Sequence, residues 1–174
     1  MIYRPITFIA SLLLLSAATF SAHAAAPAKP ILVGYVEKVQ VSNVDVVLKA
    51  KMDTGAKTSS IDADILDIRK DDDKEIVVFS VEDADGNIKT LEREIARWVR
   101  IKRKGGEGTI RRPVITMHFC IGEQVIDEEV NLANREGFIY PVLVGRNMME
   151  HGNLAVDPSK TFTSKPHCET ETTE

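Results

Sequence analysis

Met52-Asp53-Thr54-Gly55-Ala56-Lys57-Thr58-Ser59-Ser60-Ile61 is the stretch that decides the fold of this chain. In residues 44–52, leading into it, Val44, Val46, Leu48, Ala50 and Met52 fall on one face and Asp45, Lys49 and Lys51 on the other, the period of two of a half-buried strand. The carboxylate of Asp53 therefore stands at a strand end. Thr54 and Gly55 then let the chain turn sharply, because glycine tolerates positive φ and allows another backbone to approach closely. Taken alone, Asp-Thr-Gly also describes an ordinary turn, since all three are common turn residues.

A second segment changes that balance. Tyr140-Pro141-Val142-Leu143-Val144-Gly145-Arg146-Asn147-Met148-Met149 reads as a buried apolar strand, a glycine and a short helical turn. Together the Asp-Thr-Gly-Ala turn and this strand with Gly-Arg-Asn resemble the retropepsins, the viral-type aspartic proteases, and in particular their bacterial retropepsin-like relatives. Such bacterial chains have also been described as ATP-dependent zinc proteases and as RimK-associated proteins. The resemblance implies an all-β fold, a small closed acid-protease barrel. It implies Asp53, Thr54 and Gly55 as catalytic residues, Ala56 at the substrate, and Gly145, Arg146 and Asn147 as structural residues near the site.

Between the two motifs, Arg103-Lys104-Gly105-Gly106-Glu107-Gly108-Thr109-Ile110 forms a glycine-dense tip between strand-like arms at 98–102 and 114–120, a long hairpin. In a retropepsin this hairpin is the flap that closes over bound peptide, which places Gly105, Gly106 and Gly108 among the substrate-binding residues. The resemblance covers roughly residues 45–162. It departs from the family pattern over residues 62–97, which read as an inserted hairpin: apolar runs at 75–81 and 88–91 flank Asp83-Ala84-Asp85-Gly86-Asn87, with Asp-Gly as its turn signal. This earlier hairpin is the alternative flap, ranked lower because it is polar and has a single glycine. A further departure is Lys57, which stands where many retropepsins carry an acid that pairs with the arginine of Gly-Arg-Asn. Arg146 then needs another partner, with Asp62, Asp64 and Asp157 as candidates, or the dimer contact there differs from that of the viral enzymes.

Two facing aspartates cannot both ionise at close range, so they share a proton, one activating water while the other polarises the scissile carbonyl. One Asp-Thr-Gly per chain is met by a two-fold homodimer that supplies Asp53 twice, since an isologous interface sets a residue beside its own copy. Asp157, in Ala155-Val156-Asp157-Pro158, is the alternative second acid. The function expected is an endopeptidase; the alternative is a non-catalytic module on the same fold that binds a peptide or a partner. Arg100, Lys102, Arg103, Lys104, Arg111 and Arg112 read as a solvated hairpin face, with a preference for acidic or C-terminal substrate segments as their functional reading.

At the N-terminus, Arg4, the apolar run at 6–15 and Ala22-His23-Ala24 form an export signal, shorter in its apolar core than the roughly 20 residues a membrane-spanning helix needs. Cleavage after Ala24 leaves 174 − 24 = 150 residues and changes the Lys and Arg count from 22 to 21 against 26 acids, a net charge of −5. The expected division is signal peptide 1–24, linker 25–30, protease domain 31–164 and disordered tail 165–174, in a periplasmic protein with no stable membrane anchor after cleavage. A mildly acidic chain carries no footprint for nucleic acid. His-Glu-x-x-His and phosphate-loop motifs are lacking, and His118, His151, His167, Cys120 and Cys168 have no zinc spacing, so neither metal nor cofactor is expected. The two cysteines either join in a disulfide that ties the tail to the barrel, or Cys120 is a buried small hydrophobe and Cys168 is free or pairs between chains. Strands are expected at 31–41, 44–52, 75–81, 88–91, 98–102, 114–120, 124–131 and 141–144, and helix only at 62–66 and from Asn147.

Overall fold

The computed structural model describes residues 28–41, 46–102 and 108–168. It is built of strands with one short helix. The strands are β1 (Ile31–Val41), β2 (Val46–Met52), β3 (Ser59–Asp62), β4 (Asp64–Asp71), β5 (Lys74–Glu82), β6 (Ile88–Glu94), β7 (Arg97–Lys102), β8 (Thr109–Ile121), β9 (Gln124–Ala133), β10 (Val142–Val144) and β11 (Leu154–Thr161), with α1 (Arg146–His151) before the last. The large sheet runs β11-β1-β2-β10-β3-β9-β8-β7, and a second pairing of β1 with β8 closes β1, β2, β10, β3, β9 and β8 into a six-stranded barrel. This is the all-β acid-protease barrel the sequence implied.

The alternation read in β2 is the one observed: Val46, Leu48, Ala50 and Met52 are buried while Val47, Lys49 and Lys51 are exposed. They share one apolar cluster with Ile61, Ile115, Met117, Phe119, Ile121, Val130, Leu132, Val142 and Val144, which Met148 and Met149 of α1 join. Phe119 is fully buried in the core, and Trp98 packs against that core while partly exposed.

The insertion is larger than a hairpin. β4, β5 and β6 make a separate antiparallel sheet in that order. Val77, Phe79 and Val81 of β5, with Leu91 and Ile95, turn one face of this sheet into the same apolar cluster as the barrel. The helix expected at 62–66 is absent and the expectation is corrected: Asp62 ends β3 and Asp64 opens β4. The peptide N–H groups that a helix would use locally go to neighbouring strands instead, Asp62 N–H to the Pro141 carbonyl at 2.8 Å and Ala63 N–H to the Ala133 carbonyl at 3.1 Å. Tertiary pairing overrides the weak local preference of Asp-Ala-Asp-Ile-Leu.

The hairpin of the resemblance is present as β7 paired with β8 from Arg97↔Val114 to Lys102↔Thr109. Gly105 and Gly106 lie outside the described residues. Gly108 enters β8 at φ +98°, a conformation that favours glycine.

Past β11 the chain crosses back over β1. Glu37, fully buried, accepts from Gly34 N–H at 2.6 Å and from Thr163 N–H at 2.9 Å and Oγ1 at 2.5 Å. Cys168 is joined to Cys120 in a disulfide, and His167 N–H donates to the Gly122 carbonyl at 2.7 Å. The start of the segment read as a disordered tail, residues 165–168, is thus fastened to the β8–β9 turn. Of the two readings of the cysteines, the intramolecular bridge is the one observed.

Candidate active site

Three adjoining backbones place Asp53. β10 runs parallel to β2, with Val144 opposite Met52, and the Asp53 N–H continues that ladder by donating to the Val144 carbonyl at 2.9 Å. The turn then closes with Ala56 N–H to the Asp53 carbonyl at 3.1 Å and Gly55 N–H to Asp53 Oδ1 at 3.0 Å. A Cβ on Gly55 would stand 3.1 Å from that Oδ1, so glycine lets the amide and the carboxylate meet. Asp53 is half-buried, and Thr54 and Gly55 are exposed beside it. The outcome is an acid on a rigid turn, open on one side.

The Gly-Arg-Asn segment is the clamp under this turn. Gly145 lies so close to the chain at Thr58 that an added Cβ would come within 2.6 Å of the Thr58 carbonyl carbon, and its N–H donates to Ser59 Oγ at 3.0 Å. Arg146 N–H donates to the Ala56 carbonyl at 2.9 Å and Asn147 N–H to the Lys57 carbonyl at 3.1 Å. The Arg146 guanidinium reaches further, from Nη1 to the carbonyls of Thr54 at 2.8 Å and Gly55 at 2.9 Å. This corrects the expectation of an acidic partner for Arg146. Asp62 instead accepts from Arg135 N–H at 2.6 Å, and Asp157 is held by Ser159 and Lys160. With two main-chain carbonyls as acceptors, the arginine is satisfied whether residue 57 is an acid or the lysine found here. Asp53, Thr54, Gly55, Ala56, Gly145, Arg146 and Asn147 are therefore brought together; Gly108 is at the separate β7–β8 hairpin.

Arg135 was missed by the sequence reading. It is 8% exposed, and its side chain donates from Nε to the Tyr140 carbonyl at 3.1 Å and from Nη1 to Ser60 Oγ at 2.9 Å, with the guanidinium over the Phe138 ring at 4.7 Å. Burial lowers its pKa; the negative charges of Asp62 and Asp53 work the other way, and Arg112 adds to the lowering. The Asp53 charge therefore reaches Arg135. Arg112 itself donates to Asn131 Oδ1 at 3.3 Å, and Asn131 donates to the Ser59 carbonyl at 2.6 Å, linking β8 to the strand that leaves the Asp53 turn. Arg111 is not simply solvated either, since it stacks on Trp98 at 4.3 Å. The only local signal of Arg135 was a lone cation, in Asn134-Arg135-Glu136, just before the second motif.

The histidines and cysteines considered for zinc are spread apart in use. His118 pairs with Asp127, His151 with Glu128, and Cys120 with Cys168. A groove of about 370 Å³ lies at the junction of barrel and insertion, lined by Asp62, Ala63, Asp64, Ser80, Glu82, Ile88, Asn134 and Glu136, and does not include Asp53.

Comparison with known proteins agrees with this geometry. A probable α-L-glutamate ligase of Shewanella pealeana is 32% identical over 118 residues, 66% of this chain and 25% of that one. One from Desulfotalea psychrophila is 32% identical over 115 residues, 64% of this chain and 24% of that one. The chain thus spans about a quarter of the length of the curated relatives it matches. A crystal structure of a Legionella pneumophila protein of unknown function superimposes with a TM-score of 0.68 at 36% identity, over 77% of this chain and 98% of the other. The profile described as retropepsin-like aspartic endopeptidase RimB matches residues 32–167, from the start of β1 to the disulfide-tied segment, and on that extent the chain belongs to the RimB-like family of retropepsin-like aspartic endopeptidases.

Proposed function

We propose that the protein is an active aspartic endopeptidase, exported to the periplasm, which works as a two-fold homodimer and cuts peptide segments rich in acidic side chains. The observation that carries the catalytic reading is the Asp53 carboxylate held at a strand end by its own turn, with Gly55 N–H on Oδ1 and the Arg146 clamp beneath. A binding module has no chemical need for an acid fixed in this way. In the dimer one Asp53 removes a proton from water while the other, protonated, donates to the scissile carbonyl oxygen. The water oxygen bonds to the carbonyl carbon to give a gem-diol; as the C–N bond breaks, the proton taken from water passes to the leaving amine and the proton lent to the carbonyl oxygen returns to its Asp53, with no covalent enzyme intermediate. Thr54, at the exposed tip of the turn, is suited to hydrogen bonding across the two-fold axis.

The preference for acidic substrates is supported by two cations near the turn. The Asp53 charge acts on Arg135, and Lys57 is exposed within the turn itself. Glutamate-containing peptides are the natural first substrates, since the relatives that carry a matching segment are named as glutamate ligases. The test is cleavage of a diverse peptide library that includes glutamate-rich members, from about pH 4 to about pH 7.5, by the protein recovered after export. Cuts that vanish in Asp53→Asn and survive EDTA establish the mechanism. Identical behaviour of wild type and mutant overturns it in favour of a binding module.

A further inference from the structure

β2 brings more to the site than Asp53. Ala50 and Met52 are buried in the core, so Lys51 between them projects from the outer face of the barrel, where it is exposed. The Asp53 N–H continues the ladder with β10 by donating to the Val144 carbonyl, and the chain is therefore still extended at Asp53. Residues two apart in an extended chain share a face, with Cα atoms about 7 Å apart. Lys51 and Asp53 thus stand side by side on the face from which a substrate must arrive, since the opposite face is core.

Strand register extends that face sideways. Leu143 of β10 lies opposite both Lys51 of β2 and Ser60 of β3, and Ser60 lies opposite Asn131 of β9. Ser60 and Asn131 are each 6% exposed, and each receives an arginine: Arg135 Nη1 donates to Ser60 Oγ, and Arg112 Nη1 to Asn131 Oδ1. Both guanidinium groups are committed to the wall itself. Lys51 is not: its side chain has no hydrogen bond among the described residues, where the ion pairs use Arg69, Lys74, Arg97, His118, His151 and Lys160 instead. The row of Lys51, Leu143, Ser60 and Asn131, with its two arginines, holds three cations and no carboxylate. A free ammonium on such a wall is a partner for an anion, and the charge-assisted hydrogen bond it offers is about twice as strong as a neutral one. An extended peptide crossing the Asp53 turn presents side chains to this wall at intervals of about 7 Å. The side chain beside the scissile bond then falls at Lys51, one such interval from Asp53.

We propose that Lys51 is a specificity-determining residue: its ammonium receives the carboxylate of an aspartate or glutamate side chain next to the scissile bond, while Arg135 and Arg112 hold the wall and add to its positive field. This rests on the endopeptidase reading above and assigns the acidic preference to one contact. The test scans a single glutamate, against glutamine, through a short neutral fluorescent peptide cut by the exported protein. In the wild type, glutamate beside the scissile bond raises kcat/KM about tenfold over glutamine, and glutamate at remote positions does not. Lys51→Gln brings that ratio close to one, Lys51→Arg retains it, and Lys51→Glu turns the preference at the same position towards lysine, which a merely structural role would not do. Lys49→Gln, at the next exposed position on the same face of β2, removes an equal charge and keeps the wild-type ratio. A wild-type ratio in Lys51→Gln, or an equal loss in Lys49→Gln, overturns the proposal, the second by reducing the effect to net charge. Fluorescence anisotropy of the same peptides separates the contact from the reading it rests on. Lys51-dependent binding of the glutamate peptide with no peptide cut keeps the contact and removes the endopeptidase reading; cleavage and binding both indifferent to Lys51 remove the contact.

Discussion

Around Asp53 most of the hydrogen bonds end on backbone atoms: Val144, Asp53, Thr54, Gly55, Ala56 and Lys57 all offer main-chain carbonyls, and glycines at 55 and 145 let the chains approach closely. The inserted sheet β4–β6 is tied across its outer face by side chains, with Arg69 on Glu92 at 2.5 Å and Lys74 on Glu94 at 2.6 Å, and all eight residues of β4 are exposed. Backbone contacts at fixed spacing tolerate no added atom but are indifferent to most side-chain charges. Surface ion pairs are the reverse, replaceable one at a time at little cost. The two regions should therefore answer mutation differently.

The sharpest contrast is at the acid itself. Asp53→Asn preserves shape and hydrogen bonding yet removes the titrating group, so peptide cleavage should fall by about 10²–10⁴-fold or more with an unchanged melting curve. Gly145→Ala comes next. Its Cβ meets the backbone of Thr58 and Lys57, which cannot move without unseating the turn, so denaturant titration should show a loss of about 3 kcal/mol along with lost cleavage. If Gly145→Ala were neutral, the backbone account of the site would be broken.

Outside both regions, Cys168→Ser opens a link spanning 48 residues and should cost about 2–4 kcal/mol in denaturant, mostly through the unfolded chain, while leaving kcat/KM at Asp53 intact. Arg135→Gln keeps the size of the side chain and removes its charge. The ratio of kcat/KM for acidic over neutral peptides should drop about tenfold, with a smaller change for neutral peptides alone. An unchanged ratio would place the acidic preference elsewhere or remove it.

The same division decides how much was legible in the sequence. Asp53 and Gly145 were found because strand alternation and small residues at turns are local signals, and the apolar run of residues 141–144 fixed the second motif. β4 was not found: Asp-Ile-Leu-Asp-Ile-Arg-Lys-Asp has no clean period, and a bulge between Ile65 and Asp67 shifts its register, so only pairing with β5 defines it as a strand. β11 was hidden by Pro158, tolerable because β11 is the edge of its sheet. The acceptors of Arg146 were illegible for a deeper reason. Main-chain carbonyls have no residue type, so a search for an acid could only return the wrong candidates. Arg135 was missed because burial of a lone cation is a property of the folded loop around Ser60, Phe138 and Tyr140.

The smallest effects belong to the insertion, and its β5–β6 turn tests whether that sheet is independent of the site. Asp83 accepts from the Asn87 side chain at 2.9 Å and from the N–H groups of Asp85 and Asn87, both at 2.9 Å, and these bonds, led by Asn87, hold its carboxyl below the usual aspartate range. A lowered folded-state pKa means the stabilisation is present above the unfolded value and is lost as pH falls through the folded one. Because Asp83 is at the surface, this is a local fraying and not a global transition. Acidification below about pH 4 should therefore raise amide exchange at Asp85 and Asn87 beyond its intrinsic change while the Asp53 and Ala56 amides stay protected. Arg69→Ala and Lys74→Ala together should move the melting midpoint by no more than about 2 °C and leave cleavage unchanged. Should the double mutant slow cleavage, the insertion would be part of the catalytic machinery through its contact with the β7–β8 hairpin, where Trp98 Nε1 donates to Glu75 at 2.8 Å, and the separation drawn between the two regions would fail.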